Sequence, residues 1–294
     1  MDLGRYHSTF LFSAIFCSLF ILTSAPALDA CTLWAAAGEQ VAHGGCLIAK
    51  NRDWMPEKGE VRLVSSSKGH RFLGLFPIRD GKSRGCVAGI NERGLVVVTA
   101  SAGSIPRAER IKGGSGLMRK LLTDFSTVEE VLANGSLFSR THPSMYLVAD
   151  RNRTAWIEVA PEGKFSARST GSGMLAHTNH YLDETLIDAN RKIGKSSRTR
   201  LERISELLER RKAPLTLENF IAFSQDRRDG PDDSLWRTGG KPEGQRTLAS
   251  WIVSLPPAAP PDIYVRLANP NEPERTIQIT LDGPFWKRMD EMIF

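Results

Sequence analysis

The residue best placed to do chemistry is Cys31, which follows a segment with the features of a cleavable signal. Arg5 precedes a short apolar run at residues 10–22, and small residues follow at 23–27, an arrangement typical of secretory signals. If cleavage makes Cys31 the first residue, its thiol lies beside its own α-amine, whose pKa is about 7.7–8.0. That amine can take the thiol proton, so a single residue would supply both nucleophile and base.

A second group of reactive side chains closes the next apolar segment, where Lys50 precedes Asn51, Arg52 and Asp53. The spacing from Cys31 suits a hairpin that returns Asp53 to the side of Cys31. A carboxylate and cations in that position can hold the α-amine and tune the thiol. The spacing therefore predicts a site built on the first two strands.

Composition and hydropathy indicate an exported protein. The early apolar run is shorter than the roughly 20 residues that span a bilayer, and no later segment is long and uncharged. We expect residues 1–30 to be a cleaved signal peptide, residues 31–294 to form one catalytic domain, and the protein to be periplasmic or secreted. No stable membrane insertion is expected after signal removal. The formal charge of +6 is spread along the chain, so we expect no nucleic-acid partner.

Cysteines Cys46 and Cys86 remain with Cys31 once the signal is removed. An odd number of cysteines in an oxidising compartment leaves one free thiol or an intermolecular bond. The simplest expectation pairs Cys46 with Cys86 and leaves Cys31 free, although a disulfide depends on geometry that the sequence does not give.

The order of predicted elements favours an α+β fold. Apolar segments at 32–36, 45–50 and 95–100 predict strands, and the unbroken third one predicts burial on both faces. Helical spacing from Leu117 onwards predicts a helix pair, whose second member would begin with a capping box at residues 126–129. Grouped helices between blocks of strands indicate layered sheets. No glycine-rich phosphate loop is present, so no nucleotide cofactor is expected.

Several short motifs, in a consistent order, resemble the choloylglycine hydrolase and penicillin-acyltransferase-like group of N-terminal nucleophile hydrolases. The matching segments are Cys31-Thr32, Asn51-x-Asp53, Gly89-Ile90-Asn91-Glu92-x-Gly94-Leu95, Thr178-Asn179-His180, Ser196-Ser197-Arg198 and Thr247-Leu248-Ala249-Ser250.

The resemblance implies a four-layer αββα sandwich with Cys31 as nucleophile and its amine as base. It also implies that Asp53 orients the amine, that Asn179 donates to the oxyanion, and that Arg198 supports the site, with Arg200 close enough to leave the register open. The second oxyanion donor would be a backbone N–H near Ser101. Asn51 and Arg52 complete the expected binding residues.

The same resemblance implies that the substrate is a small linear amide, whose acyl group would pass through a thioester to water or to an acceptor amine. Trp34, Trp54, Met55 and Phe76 hint at an apolar acyl group. His177 and His180 are expected to line the site without holding a metal, and homo-oligomerisation is left open. Many members have arginine where Lys50 stands, and whether Lys50 takes that role is open.

Two alternatives remain at this point. Bacterial dipeptidases share the Cys-Thr start and the Asn-x-Asp turn, and an acidic or amine-capturing pocket would favour them. Leu28-Asp29-Ala30-Cys31 also resembles a lipoprotein cleavage box, which would make Cys31 the acylated residue of an envelope-anchored binding protein. A strand that starts directly after Cys31 argues against the flexible tether that such an anchor needs.

Overall fold

The computed structural model describes Met1, residues 30–210 and residues 214–287. The expected signal peptide lies outside these ranges apart from its first and last residues. The strands, in chain order, are β1 (Ala30–Ala37), β2 (Cys46–Trp54), β3 (Lys58–Val64), β4 (Phe72–Arg79), β5 (Lys82–Ser83), β6 (Ala88–Asn91), β7 (Val96–Ser101), β8 (Ser144–Ala149), β9 (Thr154–Val159), β10 (Phe165–Thr170), β11 (Gly173–His177), β12 (Arg246–Leu255), β13 (Asp262–Leu267) and β14 (Arg275–Thr280). The helices are α1 (Arg107–Arg110), α2 (Leu117–Asp124), α3 (Val128–Ala133), α4 (Lys195–Glu209), α5 (Leu217–Ser224), α6 (Gly230–Asp233) and α7 (Gly283–Trp286).

Two antiparallel sheets are formed by these strands. The first has the order β11-β1-β2-β12-β13-β14, and the second has the order β10-β9-β8-β7-β6-β4-β3, with β5 paired to β4. In the first sheet, Cys31 lies opposite Arg52 and Ala30 lies opposite Asp53. The hairpin predicted from the spacing of Cys31 and Asp53 is therefore confirmed.

Three apolar clusters separate four layers. The cluster between the sheets contains residues from both, including Leu33, Ile48, Val98, Leu147 and Trp251. Helices α2 and α3 cover the outer face of the second sheet, and α4 and α5 cover the outer face of the first. The α+β class and the αββα sandwich are confirmed.

Burial on both faces explains the sequence of the central strands. All of β1 is buried, because its odd-numbered residues face the second sheet and its even-numbered residues face α4 and α5. Strand β7 also has helices on one side and the opposite sheet on the other, so it shows no alternation of apolar and polar residues.

The expected Cys46–Cys86 disulfide is wrong. Both residues are free thiols and belong to different clusters, Cys46 between the sheets and Cys86 under α2. Cys86 Sγ instead donates to the Ala88 carbonyl oxygen at 3.0 Å. Burial raises the pKa of each of these two thiols to about 12, so both are protonated at neutral pH.

Across the described ranges, no helix combines the length and the apolar character needed to cross a lipid bilayer.

Candidate active site

Cys31 is the second residue of strand β1, and its side chain faces the space between the sheets. The residue is only 7% exposed, yet it lines a large cavity. Its Sγ lies 3.9 Å from the carbonyl oxygen of Asp53, and its backbone N–H donates to Asn179 Oδ1 at 2.9 Å. The nucleophile predicted from the sequence is therefore buried, held by two neighbours and open to a cavity.

Asn179 lies two residues after the end of β11 and joins three parts of the site. Its Oδ1 accepts from the Cys31 N–H, and its Nδ2 donates to the Ser101 carbonyl oxygen at 2.9 Å. An amide nitrogen carries two N–H groups, so a second donor remains beside Cys31. Asn179 and Ser101, which are far apart in sequence, are thus brought together beside Cys31.

Asp53 is completely buried opposite Ala30. Its Oδ1 accepts from Thr247 Oγ1 at 2.7 Å, and its Oδ2 has no hydrogen-bond partner among the described residues, with Arg237 Nη1 at 3.9 Å. Burial raises the pKa of the Asp53 carboxyl, and the nearby Arg237 and Arg200 oppose that rise. The unpartnered oxygen belongs to the residue that pairs with Ala30 across the hairpin.

The arginine of this site is Arg200, which corrects the prediction for Arg198. Arg198 is exposed and donates to the Ile193 carbonyl oxygen. Arg200 is 1% exposed, and its Nη1 donates to the Cys31 carbonyl oxygen at 2.6 Å, while its Nη2 donates to Asn179 Oδ1 at 3.1 Å. Two residues correspond to about 200° around an α-helix, so only one of the pair can face β1.

Asn51 is not a binding residue, which corrects a second prediction. Successive strand residues point to opposite faces, so Asn51 faces the helices while Arg52 faces the cavity. The Asn51 Nδ2 donates to the carbonyl oxygens of Ser224 and Leu235, and its Oδ1 accepts from Ser250 Oγ. These bonds fix the segment around α5 and α6 on the first sheet.

Lys50 and Arg52 on β2 line the same cavity as Cys31 on the neighbouring strand β1. Lys50 crosses to the second sheet, where its Nζ donates to the carbonyl oxygens of Val87 at 3.0 Å and Thr99 at 2.5 Å. Burial lowers the pKa of Lys50 to about 8. Arg52 pairs with Glu57, and its Nη1 is buried without a hydrogen-bond partner among the described residues.

The cavity beside Cys31 has a volume of about 830 Å³. Its larger apolar and aromatic lining residues are Trp54, Phe72, Phe76, Leu117, Met118 and Tyr146. Its charged lining residues are the cations Lys50, Arg52, Arg62, Arg79, Arg84 and Arg119 and the acids Asp53 and Glu57. Of the four residues that hinted at an apolar acyl group, Trp54 and Phe76 line this cavity, whereas Trp34 packs under the helices.

The two histidines near Asn179 have hydrogen-bond partners on the protein. His177 Nε2 bonds Glu158 Oε1 at 2.6 Å, and His180 Nδ1 bonds Ser197 Oγ at 2.8 Å. Burial lowers the pKa of His180 to about 4, so this ring is neutral at pH 7. Within the described ranges, no group of three or more histidine, cysteine or acidic residues is arranged to hold a metal.

Two residues that contact Asp53, Thr247 and Arg237, were not identified from the sequence. Thr247 lies in a segment that carried the resemblance, but its bond to Asp53 depends on the pairing of β12 with β2. Arg237 lies between α6 and β12, where no local pattern marks it. Both residues reach Asp53 only through the tertiary fold.

Comparisons with known proteins identify the family of the chain. Residues 41–272 match the family described as Acyl-coenzyme A:6-aminopenicillanic acid acyl-transferase. The match begins after Cys31 and therefore does not include that residue. No curated protein sequence is a significant match to the chain.

Two solved structures resemble the fold. Penicillin V acylase from Agrobacterium tumefaciens is 15% identical, with a TM-score of 0.52 over 86% of this chain and 88% of that chain. A variant of conjugated bile acid hydrolase from Clostridium perfringens is 13% identical, with a TM-score of 0.45 over 86% of this chain and 94% of that chain.

The family match spans more than three quarters of the chain, and the fold is the αββα sandwich implied by the sequence motifs. The chain therefore belongs to the acyl-coenzyme A:6-aminopenicillanic acid acyl-transferase family and is an amide hydrolase or acyltransferase of the N-terminal nucleophile type.

Proposed function

We propose that the mature enzyme begins at Cys31 and cleaves linear amides through a thioester on that residue. The observation that carries this proposal is the position of Cys31. Its thiol lines the large cavity while its backbone nitrogen is held by Asn179, on the side where Asp53 has an unpartnered carboxylate oxygen. Removal of residues 1–30, by a signal peptidase or by attack of the thiol on the Ala30 carbonyl, would free this nitrogen as an amine.

The freed α-amine would act as base and acid in turn. It takes the thiol proton as sulfur attacks the substrate carbonyl carbon, and it returns that proton to the leaving nitrogen when the C–N bond breaks. Water or an acceptor amine then attacks the thioester carbon, and the C–S bond breaks to regenerate the thiol. Asn179 Oδ1 and the free oxygen of Asp53 supply acceptors that would orient the ammonium form.

The oxyanion would be held by the second N–H of the Asn179 amide. That amide is fixed in place because its oxygen accepts from Arg200 and its nitrogen donates to Ser101. A donor that is already held in position needs no reorganisation as negative charge develops on the substrate oxygen. Arg200 is therefore a positioning residue, which acts through Asn179 and the Cys31 carbonyl.

The apolar walls of the large cavity favour an acyl group with a substantial hydrocarbon part. The described lining residues comprise six cations and two carboxylates. A site that captures a free amino group would require the opposite balance, so the dipeptidase alternative is not supported. A lipid anchor is not supported either, because β1 begins at Ala30 and leaves no tether beyond Cys31.

Export completes the proposal. The features of residues 1–30 support passage through a secretory pathway, so we place the enzyme in the periplasm or outside the cell, acting on a small amide. No cofactor or metal enters the proposed reaction, and no nucleic acid or membrane partner is part of it.

The experiment that tests the proposal compares Cys31→Ser with Cys46→Ala on a panel of N-acyl amides. We expect Cys31→Ser to lose at least about 10³ of kcat/KM, because a serine hydroxyl beside an amine is a far weaker nucleophile than a thiol. Cys46→Ala removes another buried thiol far from the cavity and should keep most of the activity. Equal activity of wild type and Cys31→Ser would overturn the proposal.

A further inference from the structure

The large cavity has two parts, one on each face of the second sheet. The near part contains Cys31 and Ala100, which belong to the apolar cluster between the sheets. The far part contains Phe72, Phe76 and Met118, which belong to the cluster under α2 and α3. The cavity therefore reaches from the nucleophile to the opposite face of the second sheet, and an acyl group attached to Cys31 would have its remote end in the far part.

Charged lining residues are divided unevenly between these two parts. Glu57 belongs to the near part, because it pairs with Arg52, which lies opposite Cys31 across the hairpin. Asp53 follows Arg52 on β2 and is the other acid among the described lining residues. The charged groups described in the far part are three arginines, namely Arg62, Arg84 and Arg119. The described lining of the far part is thus cationic and has no carboxylate.

Arg62 is held in one orientation in the far part. Its guanidinium stacks over the Phe76 ring, 4.3 Å from the ring centre, and its Nη2 donates to Ser83 Oγ. Its Nε has no hydrogen-bond partner among the described residues. A guanidinium fixed in this way loses little freedom on binding a ligand, and its planar set of N–H groups matches a carboxylate.

The acids paired with two of these arginines lie outside the described cavity lining. Glu60 Oε2 is 4.0 Å from Arg62 Nε, and Asp80 Oδ2 is 3.7 Å from Arg84 Nη2. The side chains of Glu60 and Asp80 are 36% and 83% exposed, so solvent weakens both pairs. A carboxylate that enters through the cavity would therefore gain these arginines as partners without breaking a buried ion pair.

We propose that the preferred substrates are half-amides of dicarboxylic acids, in which an apolar chain separates the scissile carbonyl from a free carboxylate at the remote end. Arg62, with Arg84 and Arg119, would bind this carboxylate, and the aromatic side chains of the far part would contact the hydrocarbon. Arg62 is then the specificity-determining residue. The inference rests on the proposed function, because attack by Cys31 places the carbonyl in the near part.

Calorimetric binding of unreactive ketones to the purified protein tests the inference. Each pair of probes consists of a straight methyl ketone that ends in a carboxylate and the alcohol of the same length, and the number of methylene groups rises from pair to pair. A ketone has no C–N bond to cleave, so the result is independent of turnover. We expect the advantage of the carboxylate to rise with chain length and to reach about tenfold, because charge-assisted hydrogen bonds are stronger than neutral ones.

Arg62→Gln should reduce this ratio several-fold and leave the binding of the alcohol within about twofold of wild type. Arg168→Gln is the matched control and should keep the ratio. Arg168 also stacks on an aromatic ring, that of Trp156 at 5.6 Å, but it is exposed on β10 and does not line the cavity.

Three results would overturn the inference. They are a ratio near one at every chain length, failure of every carboxylate to bind, and an unchanged ratio in Arg62→Gln. Each concerns binding alone, so the proposed function is decided separately by the turnover of Cys31→Ser.

Discussion

At the scale of single residues, the site depends on which atoms of Asn179 are already engaged. Its oxygen holds the Cys31 nitrogen and Arg200, and one N–H is held by Ser101. Only the remaining N–H is free to meet an oxyanion, so the positioning and catalytic roles of this side chain are carried by different atoms.

Asn179→Asp separates these two roles. The carboxylate keeps an acceptor for the Cys31 nitrogen and for Arg200 but loses both N–H donors. We expect kcat to fall by about 10²–10³, as the loss of one oxyanion donor does elsewhere, and Tm to fall as well, because a carboxylate oxygen then faces the Ser101 carbonyl oxygen. Steady-state kinetics and thermal unfolding measure both quantities. Asn190→Asp is the control, since Asn190 bonds Tyr181, and an unchanged kcat in Asn179→Asp would remove Asn179 from the oxyanion site.

Arg200→Lys tests the corrected arginine assignment. A lysine has no planar fork, so it cannot reach Cys31, Thr32 and Asn179 together. We expect a loss of about 2–3 kcal/mol in the free energy of unfolding, since buried hydrogen bonds to charged groups contribute roughly 1.5–3 kcal/mol each. Arg198→Lys, on the exposed face of the same helix, should change it by less than about 0.5 kcal/mol. Urea unfolding of both variants measures the difference, and equal losses would contradict the assignment.

Order and resemblance placed Cys31, Asp53, Asn179 and Ser101 in one candidate site, and the structure brings all four together. The Ser101 group that contacts Asn179 is its carbonyl oxygen, whereas the resemblance implied a backbone N–H near Ser101. Choosing between Arg198 and Arg200 required the rotation of α4 about its axis. Nothing in the local sequence fixes that rotation.

At the scale of elements, the β1–β2 hairpin was predictable because two apolar segments flank a glycine-containing turn. Which side chains of β2 face the site was not predictable. Asn51 and Arg52 are both polar and both buried, so alternation of polarity gives no signal about the two faces.

The predicted capping box of α3 was wrong by one residue. Thr127 caps the helix and Glu130 returns to the Ser126 nitrogen, in a segment where adjacent hydroxyl and acidic residues fit either register.

Asn51→Ala tests the structural role of that residue. It removes the donor to the Ser224 and Leu235 carbonyl oxygens and leaves the Ser250 hydroxyl without its acceptor. We expect the protein to lose about 3 kcal/mol or more of stability, at roughly 1–3 kcal/mol for each buried group left unpaired. KM should stay within about twofold of wild type at temperatures where the variant is folded. Asn152→Ala, on an exposed turn, is the control, and a large rise in KM without loss of stability would restore Asn51 to the binding site.

At the scale of the whole molecule, Lys50 links the two sheets across the cavity, and its burial couples folding to pH. Its pKa is about 8 in the folded protein and 10.5 in its ordinary state. Between these values the unfolded chain holds the proton and the folded protein does not. The contribution of Lys50 to stability therefore rises as pH increases through this window.

Lys50→Met should remove this rise. Urea unfolding at several pH values between 8 and 10.5 measures the difference in stability between wild type and variant. Other titrating groups cancel in that difference. Lys58→Met changes an exposed lysine on β3 and should keep the wild-type dependence of stability on pH. A wild-type slope in Lys50→Met would contradict the burial of the ammonium.

The layered fold could be predicted from the order of strands and helices, because each block must bury its apolar face against another layer. The absence of a Cys46–Cys86 disulfide could not be predicted. The two residues lie on different sides of the second sheet, and the sequence alone does not show this separation. A thiol titration of the denatured mature protein should find all three cysteines free.

The central claim is that the active enzyme begins at Cys31, and N-terminal sequencing with intact mass on the purified active protein tests it most directly. The account predicts a chain that starts Cys31-Thr32-Leu33 with an unmodified amine and thiol. Active protein that retains Ala30, or a mass that shows a lipid on Cys31, would contradict it.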